Sequence, residues 1–173
     1  MAGVFSMTKR VLVIDTSYLD ELYQVDGYCK SQDYPEIKKR FQNARTDILC
    51  VPVTVIFELT NHIAHIKDND TRRRELAGQL AKHIDSSIKT KRPYTITPCE
   101  DFSSLDELSK NLFEFSNNYA QKSLGLTDTS VFLEAKRQRK KYPKNDYLVH
   151  IWTRDKKLKL CERELDSEEN PFV

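Results

Sequence analysis

Short aliphatic strands alternating with amphipathic helical segments predict an α/β fold, with a parallel central sheet flanked by helices. Two observations carry this prediction. Val11-Leu12-Val13-Ile14 is a run of four aliphatic residues with no polar alternation, the pattern of a strand buried on both faces. The run stops at Asp15, followed by the hydroxyls of Thr16 and Ser17, and a later strand, Tyr147 to Thr153, stops in the same way at Asp155. Acids at the carboxyl ends of buried parallel strands sit where open α/β sheets bind ligands.

In chain order, residues 16 to 27 are expected to hold a short helix with Tyr18, Leu19, Leu22 and Tyr23 inward. Asp33-Tyr34-Pro35-Glu36 reads as a helix start, with Asp33 as cap and Pro35 in the first turn, and Ile37, Phe41 and Ala44 share a face. Ile48-Leu49-Cys50-Val51 is a second buried strand, closed by Pro52. From Val53 to Lys67 the period becomes helical through Ile56, Leu59, Ile63 and Ile66. Asp68-Asn69-Asp70-Thr71 breaks that helix, and Thr71 is expected to cap the next one, whose stripe is Leu76, Leu80, Ile84 and Ile88.

Thr95 to Thr97 lies in a short strand between Pro93 and Pro98. Ser104-Leu105-Asp106-Glu107 is a capping box, and Leu105, Leu108, Leu112, Phe115 and Tyr119 follow at helical spacing. After Gly125, Thr127-Asp128-Thr129-Ser130 opens a helix that runs through Phe132 and Ala135 into the basic run Lys136 to Lys141, stopped by Pro143 and Asn145. The reading is one domain over residues 9–165, with tails at 1–8 and 166–173.

Composition narrows the class. The chain is 39% hydrophobic with 8 Phe and 8 Tyr, too much apolar surface for disorder, although 31% of residues are charged. The net charge of +2 leaves any attraction to nucleic acid to local basic patches. Cys29, Cys50, Cys99 and Cys161 stand singly, which argues for reduced thiols in a cytoplasmic protein and against a zinc site. No apolar run reaches the length of a membrane span.

Asp15 and Asp155 share one edge if their strands are parallel. Asp128, at a helix start feeding the last strand, and Glu58, one turn into a helix after Pro52, can reach that edge too. Four carboxylates repel unless cations lie among them, and an all-oxygen donor set favours Mg²⁺ or Mn²⁺ over zinc or copper. The chemistry that suits such a site is displacement at phosphorus, by a phosphodiesterase or nuclease.

Val11 to Ser17, Phe57-Glu58-Leu59, Gly125 to Ser130 and Ile151 to Leu158 resemble the four acidic motifs of the PIN-domain nuclease family, in the family's order and over essentially the whole chain. The resemblance implies a PIN-like sheet, with Asp15, Glu58, Asp128 and Asp155 as catalytic, metal-site acids. Ser17 would support the first acid, while Thr127 and Thr153 stand beside the third and fourth. It further implies a Mg²⁺- or Mn²⁺-dependent endoribonuclease acting on single-stranded RNA. Many members form homodimers, and many are toxins held inactive by an antitoxin. The alternative is a PIN-like RNA-binding or assembly protein without catalysis. A haloacid-dehalogenase-type phosphatase needs a second Asp two residues after the first, where Ser17 stands, and an Asp-x-Glu exonuclease motif fails at the same position.

Each candidate also has a plainer reading. Asp15, Asp128 and Asp155 can each serve a helix start, and Glu58 can be a solvated helix residue. His62 and His65 follow Glu58, but seven residues of helix rise roughly 10 Å, too far for Glu58 and His65 to share an ion, so both are read as surface or structural. Basic residues Arg154, Lys156 and Lys157 flank Asp155, and Arg137 and Lys140 lie in the Lys136 to Lys141 run; all five are candidate RNA phosphate contacts. The helix dipole accounts for the latter run as well.

Overall fold

The structure, a computed structural model, describes residues 9–98 and 104–162. The tails, Cys99 and the Glu107 side chain of the capping box lie outside the described residues. Four strands form one parallel sheet: β1 (Lys9–Ile14), β2 (Ile48–Pro52), β3 (Thr95–Thr97) and β4 (Tyr147–Trp152), in the order β3-β2-β1-β4. Among the described residues, seven α-helices connect and flank it: α1 (Thr16–Tyr23), α2 (Tyr34–Asn43), α3 (Val53–Ala64), α4 (Asp70–Thr90), α5 (Leu105–Glu114), α6 (Leu126–Lys141) and α7 (Lys156–Glu162). The α/β class expected from the alternation is present.

The aliphatic run makes β1 the centre of the molecule. Val11, Leu12, Val13 and Ile14 are all fully buried. Both edges of the strand are paired, with Val13 opposite Cys50 on one side and Ile151 on the other. The chain lays β2 and β3 to one side of β1 and returns β4 to the other. Strand order therefore reverses between β1 and β4, and the crevice outside their carboxyl ends is where sheets of this kind bind ligands. Trp152, the last residue of β4, stacks on Tyr18 of α1 at 5.4 Å and meets Phe41 of α2 edge-on at 5.2 Å, which seals α1 and α2 against that end of the strand.

Local chemistry differs from expectation at several helix ends. Asp33 has helical backbone angles and makes no side-chain cap on α2; its carboxylate pairs with Arg154 at 2.7 Å. Helix α4 is capped by Asn69, which is still outside the helix and accepts the Arg72 N–H at 2.9 Å, while Thr71 already lies in the first turn. The stripe of α4 is buried at Leu76 and Leu80 but open at Ile88. Helix α1 stops at Tyr23, because Gln24 turns left-handed (φ 53°) and closes the end before Gly27 is reached.

The stripe expected along α5 is largely outward. Leu105 and Leu112 are exposed and Asn111 is buried. Phe115–Tyr119 winds as a π-helix, whose wider turn breaks the 3.6-residue register that would have joined both halves of the stripe. No helix among the described residues is long and apolar enough to cross a membrane, and Cys29, Cys50 and Cys161 are free thiols.

Because Leu12 is buried in the strand that both halves of the sheet share, Leu12→Ala is expected to lower unfolding stability by roughly 2–5 kcal/mol. Urea denaturation measures this as a lower midpoint at unchanged slope; an unchanged midpoint would contradict the central placement of β1.

Candidate active site

Asp15 leaves β1 with its backbone extended and its side chain only 4% exposed. Two hydroxyls satisfy it: Ser17 Oγ donates to Oδ2 at 2.6 Å and Thr153 Oγ1 donates to the same oxygen at 2.8 Å. Both hydroxyls are themselves held by backbone N–H groups at the end of β4, Arg154 donating to Ser17 Oγ and Asp155 to Thr153 Oγ1, each at 2.9 Å. Hydrogen bonds thus run from the β4 end through two hydroxyls onto one carboxylate oxygen, and Oδ1 receives neither hydroxyl. The Ser17 N–H also approaches Oδ2, at 3.4 Å, so the capping reading of Asp15 is realised together with its burial.

The other three acids come from three more elements. Glu58 lies in the second turn of α3, where Oε2 accepts the Thr16 hydroxyl at 2.5 Å, which ties it to the residue beside Asp15. Asp128 is the third residue of α6 and reaches back to accept the Gly125 N–H at 2.7 Å, so Gly125 is the cap position and Asp128 its partner. Thr54 of α3 and Ser130 of α6 share a hydroxyl contact that fixes these two helix starts against each other. Asp155 caps α7, its Oδ1 accepting from Lys157 N–H at 2.6 Å and Leu158 N–H at 3.2 Å. Buried Glu162, at the end of α7, accepts the Ile151 N–H at 2.9 Å and so pins that helix back onto β4. Thr127 is half-buried, and its carbonyl accepts the Ser130 hydroxyl.

These acids act on one another. Burial pushes the Asp15 carboxyl up, the Ser17 and Thr153 hydroxyls pull it back in part, and Glu58 pushes it up again. Asp128 is raised to about 6, first by burial, against the Gly125 hydrogen bond, and further by the charges of Asp15, Asp155 and Glu58. One carboxyl thus feels the other three. Among the described residues no three His, Cys, Asp or Glu side chains are gathered closely enough to form a ready-made metal cage.

Sequence reasoning missed a fifth acid. Asp20 on α1 is 4% exposed and raised to about 6, chiefly by burial, with the His62 hydrogen bond opposing and the charges of Glu58 and Asp15 adding to the rise. His62 Nδ1 lies 3.0 Å from Asp20 Oδ2, and its ring stacks on Tyr28 at 3.8 Å. The signal was available in the spacing: Asp20 follows Asp15 by five residues and His62 follows Glu58 by four, so two facing helices each carry a second polar group about one turn on. His65 is exposed.

The basic candidates divide. Arg154 is half-buried and pairs with both Asp33 and fully buried Glu21. Arg137 pairs with buried Glu134 on its own helix. Lys156, Lys157 and Lys140 are exposed. Comparison with protein-family models and with curated proteins finds no match to this chain.

Two measurements check this electrostatic account. Glu21 is closed off from water, so Arg154→Ala strands a buried charge and is expected to cost about 3–5 kcal/mol in a denaturation curve, whereas a change under about 1 kcal/mol would mean a surface pair. Asp128 binds its proton more tightly folded than unfolded (about 6 against 3.8), so its ionisation opposes folding as pH rises across that interval. In EDTA, Asp128→Asn is therefore expected to be the more stable protein at neutral pH, by on the order of 1 kcal/mol after allowing for solvent screening. That advantage should vanish once the pH falls below the ordinary carboxyl range; its persistence there would contradict the assignment.

Proposed function

We propose that the chain is a metal-dependent endoribonuclease of the PIN-domain type, cleaving single-stranded RNA at the carboxyl edge of its sheet. The observation that carries this reading is the placement of Asp15, Glu58, Asp128 and Asp155 by four separate elements where strand order reverses, with the charges of the other three adding to the burial that raises Asp128. Acids brought together at a stability cost argue for a positively charged ligand.

The donor set fits Mg²⁺ or Mn²⁺. All the donors are oxygens, and such ions are held through one or two carboxylates with waters completing the shell, so a cage of three touching side chains is not required. When bound, such an ion supplies Lewis-acid polarisation of a phosphate oxygen. Asp15 and Asp128 are the residues assigned to hold it, while Glu58 and Asp155 complete the charge and orient water. Ser17 and Thr153 fix the orientation of Asp15 and partly offset the burial that disfavours its charge, since both donate to it. No side chain is assigned as a covalent nucleophile.

RNA phosphates fall to the exposed Lys156 and Lys157, one and two residues past Asp155, because Arg154 is occupied by Glu21 and Asp33. Lys140 follows Asp128 by twelve residues of helix, roughly 18 Å, so Arg137 and Lys140 belong to nucleotides away from the cleaved bond. The cytoplasmic location read from the single cysteines, and the homodimer and antitoxin-like inhibitor implied by the resemblance, belong to the same proposal; exposed Phe57, Ile88 and Leu126, which line an apolar cleft of about 610 Å³, are where a protein partner would be sought.

A second reading, a non-catalytic RNA-binding protein, is favoured by the use of Asp155 as a helix cap. Cleavage of mixed-sequence single-stranded RNA separates the two. The nuclease reading expects cutting with Mn²⁺ or Mg²⁺, none in EDTA and none with folded Asp15→Asn. Cutting that persists in EDTA or in the variant would overturn the metal mechanism, and RNA binding without cutting would select the second reading.

A further inference from the structure

We propose that a cavity remote from the acids, between α2, the middle of α4 and the entry to β3, is a binding site for a nucleotide: a flat base with an attached phosphate. The cavity encloses about 640 Å³, ample for a ligand of that size. It lies beside Leu49 and Tyr94, at the amino ends of β2 and β3, whereas the acids follow the carboxyl ends of the strands.

Its lining is divided by chemistry. The walls include the rings of Tyr23, Tyr34, Phe41 and Tyr94, flat apolar faces that suit a planar ring better than a flexible alkyl chain. The rim carries Lys38, Arg45 and Arg92, all exposed, and none has a carboxylate partner among the described residues. Lys38 sits over the Tyr34 ring, and Arg92 donates to the Arg45 carbonyl. The acid of the lining, Asp47, is already neutralised by Arg10, which binds it through two nitrogens. The net charge at the opening is therefore positive, and an anionic group would meet no opposing carboxylate there.

The floor also offers a donor. Tyr23 Oη lies 2.7 Å from His83 Nδ1 and 2.9 Å from the buried Tyr94 Oη. If Tyr94 donates to Tyr23 and Tyr23 to His83 Nδ1, both hydroxyl hydrogens have an acceptor. The reverse order leaves the Tyr94 O–H with none among the described residues, inside a buried site where an unmet donor is costly. His83 then accepts at Nδ1, and its Nε2–H has no partner among the described residues. An aromatic pocket with a polar floor and a cationic mouth matches a base edge within and a phosphate outside.

Isothermal titration of the full chain in EDTA, with the four nucleoside monophosphates, their nucleosides and inorganic phosphate, tests this. At least one monophosphate is expected to bind about tenfold or more tighter than its nucleoside and than phosphate. Reversing the exposed rim with Arg45→Glu and Arg92→Glu, and removing a wall with Tyr34→Ala, should each weaken binding by a similar factor, with circular dichroism unchanged. Asp15→Asn should leave binding intact. No heat at millimolar ligand, phosphate binding as tightly as nucleotide, insensitivity to the rim reversal, or loss in Asp15→Asn would each overturn the proposal. A 5′-phosphorylated tetraribonucleotide identifies the source: equal or tighter binding, sensitive to the rim reversal, assigns the site to an RNA end, and weaker binding assigns it to a free nucleotide. Because metal is absent, failure here leaves the nuclease reading untouched.

Discussion

A carboxylate buried at the end of a central parallel strand has to be satisfied, and the arrangement around Asp15 follows from that requirement. Stranding it without donors would cost several kcal/mol, about as much as half the stability of a domain. The solution is a pair of hydroxyls, Ser17 and Thr153, each held in turn by a backbone N–H at the end of β4. Because both hydroxyls fall on Oδ2, the carboxylate is fixed in orientation while its second oxygen takes neither. The same contacts join the ends of β1 and β4, which is where the sheet reverses its strand order. Fold and site therefore depend on one constraint.

Hydroxyl bonds extend this logic outward. Thr16 carries Glu58 to the side of Asp15, and the Thr54–Ser130 contact sets the start of α6 against α3, so Asp128 is delivered to the same region. Such short neutral donors permit carboxylates to approach without an intervening Lys or Arg that would cancel their charge. Arg154, immediately before Asp155, is drawn away to Glu21 and Asp33, where it braces α1 and the start of α2. The charges of Asp15, Glu58 and Asp155 reach Asp128, and those of Glu58 and Asp15 reach Asp20, and both carboxyls are raised. Burial explains most of each rise, and like charges add to it.

Much of the frame was legible in the sequence because strand burial leaves an unambiguous mark. Val11 to Ile14 has no polar alternation, so a fully buried central strand followed, and the repeat of strand then acid at Asp155 put both acids on one edge once the strands were parallel. Side-chain competition was less legible. Asn69 displaced Thr71 as a cap because two polar residues two positions apart offer the same chemistry and only the backbone decides between them. Arg154 read as a free cation because its partners, Glu21 and Asp33, lie more than a hundred residues away. The stripe of α5 failed where Phe115–Tyr119 widens into a π-helix, which helical spacing alone does not announce. Asp20 and the cavity beside α2 were invisible for a related reason: each is assembled from helices distant in sequence, and no single motif contains it.

The central claim is that the crowded acids exist to hold a divalent cation, and Mn²⁺ binding followed by electron paramagnetic resonance of the free ion tests it most directly. The account predicts that the protein depletes free Mn²⁺ at neutral pH and that Asp15→Asn and Asp128→Asn each abolish the depletion while circular dichroism is unchanged. No depletion by the parent protein, or equal depletion by both folded variants, would contradict it.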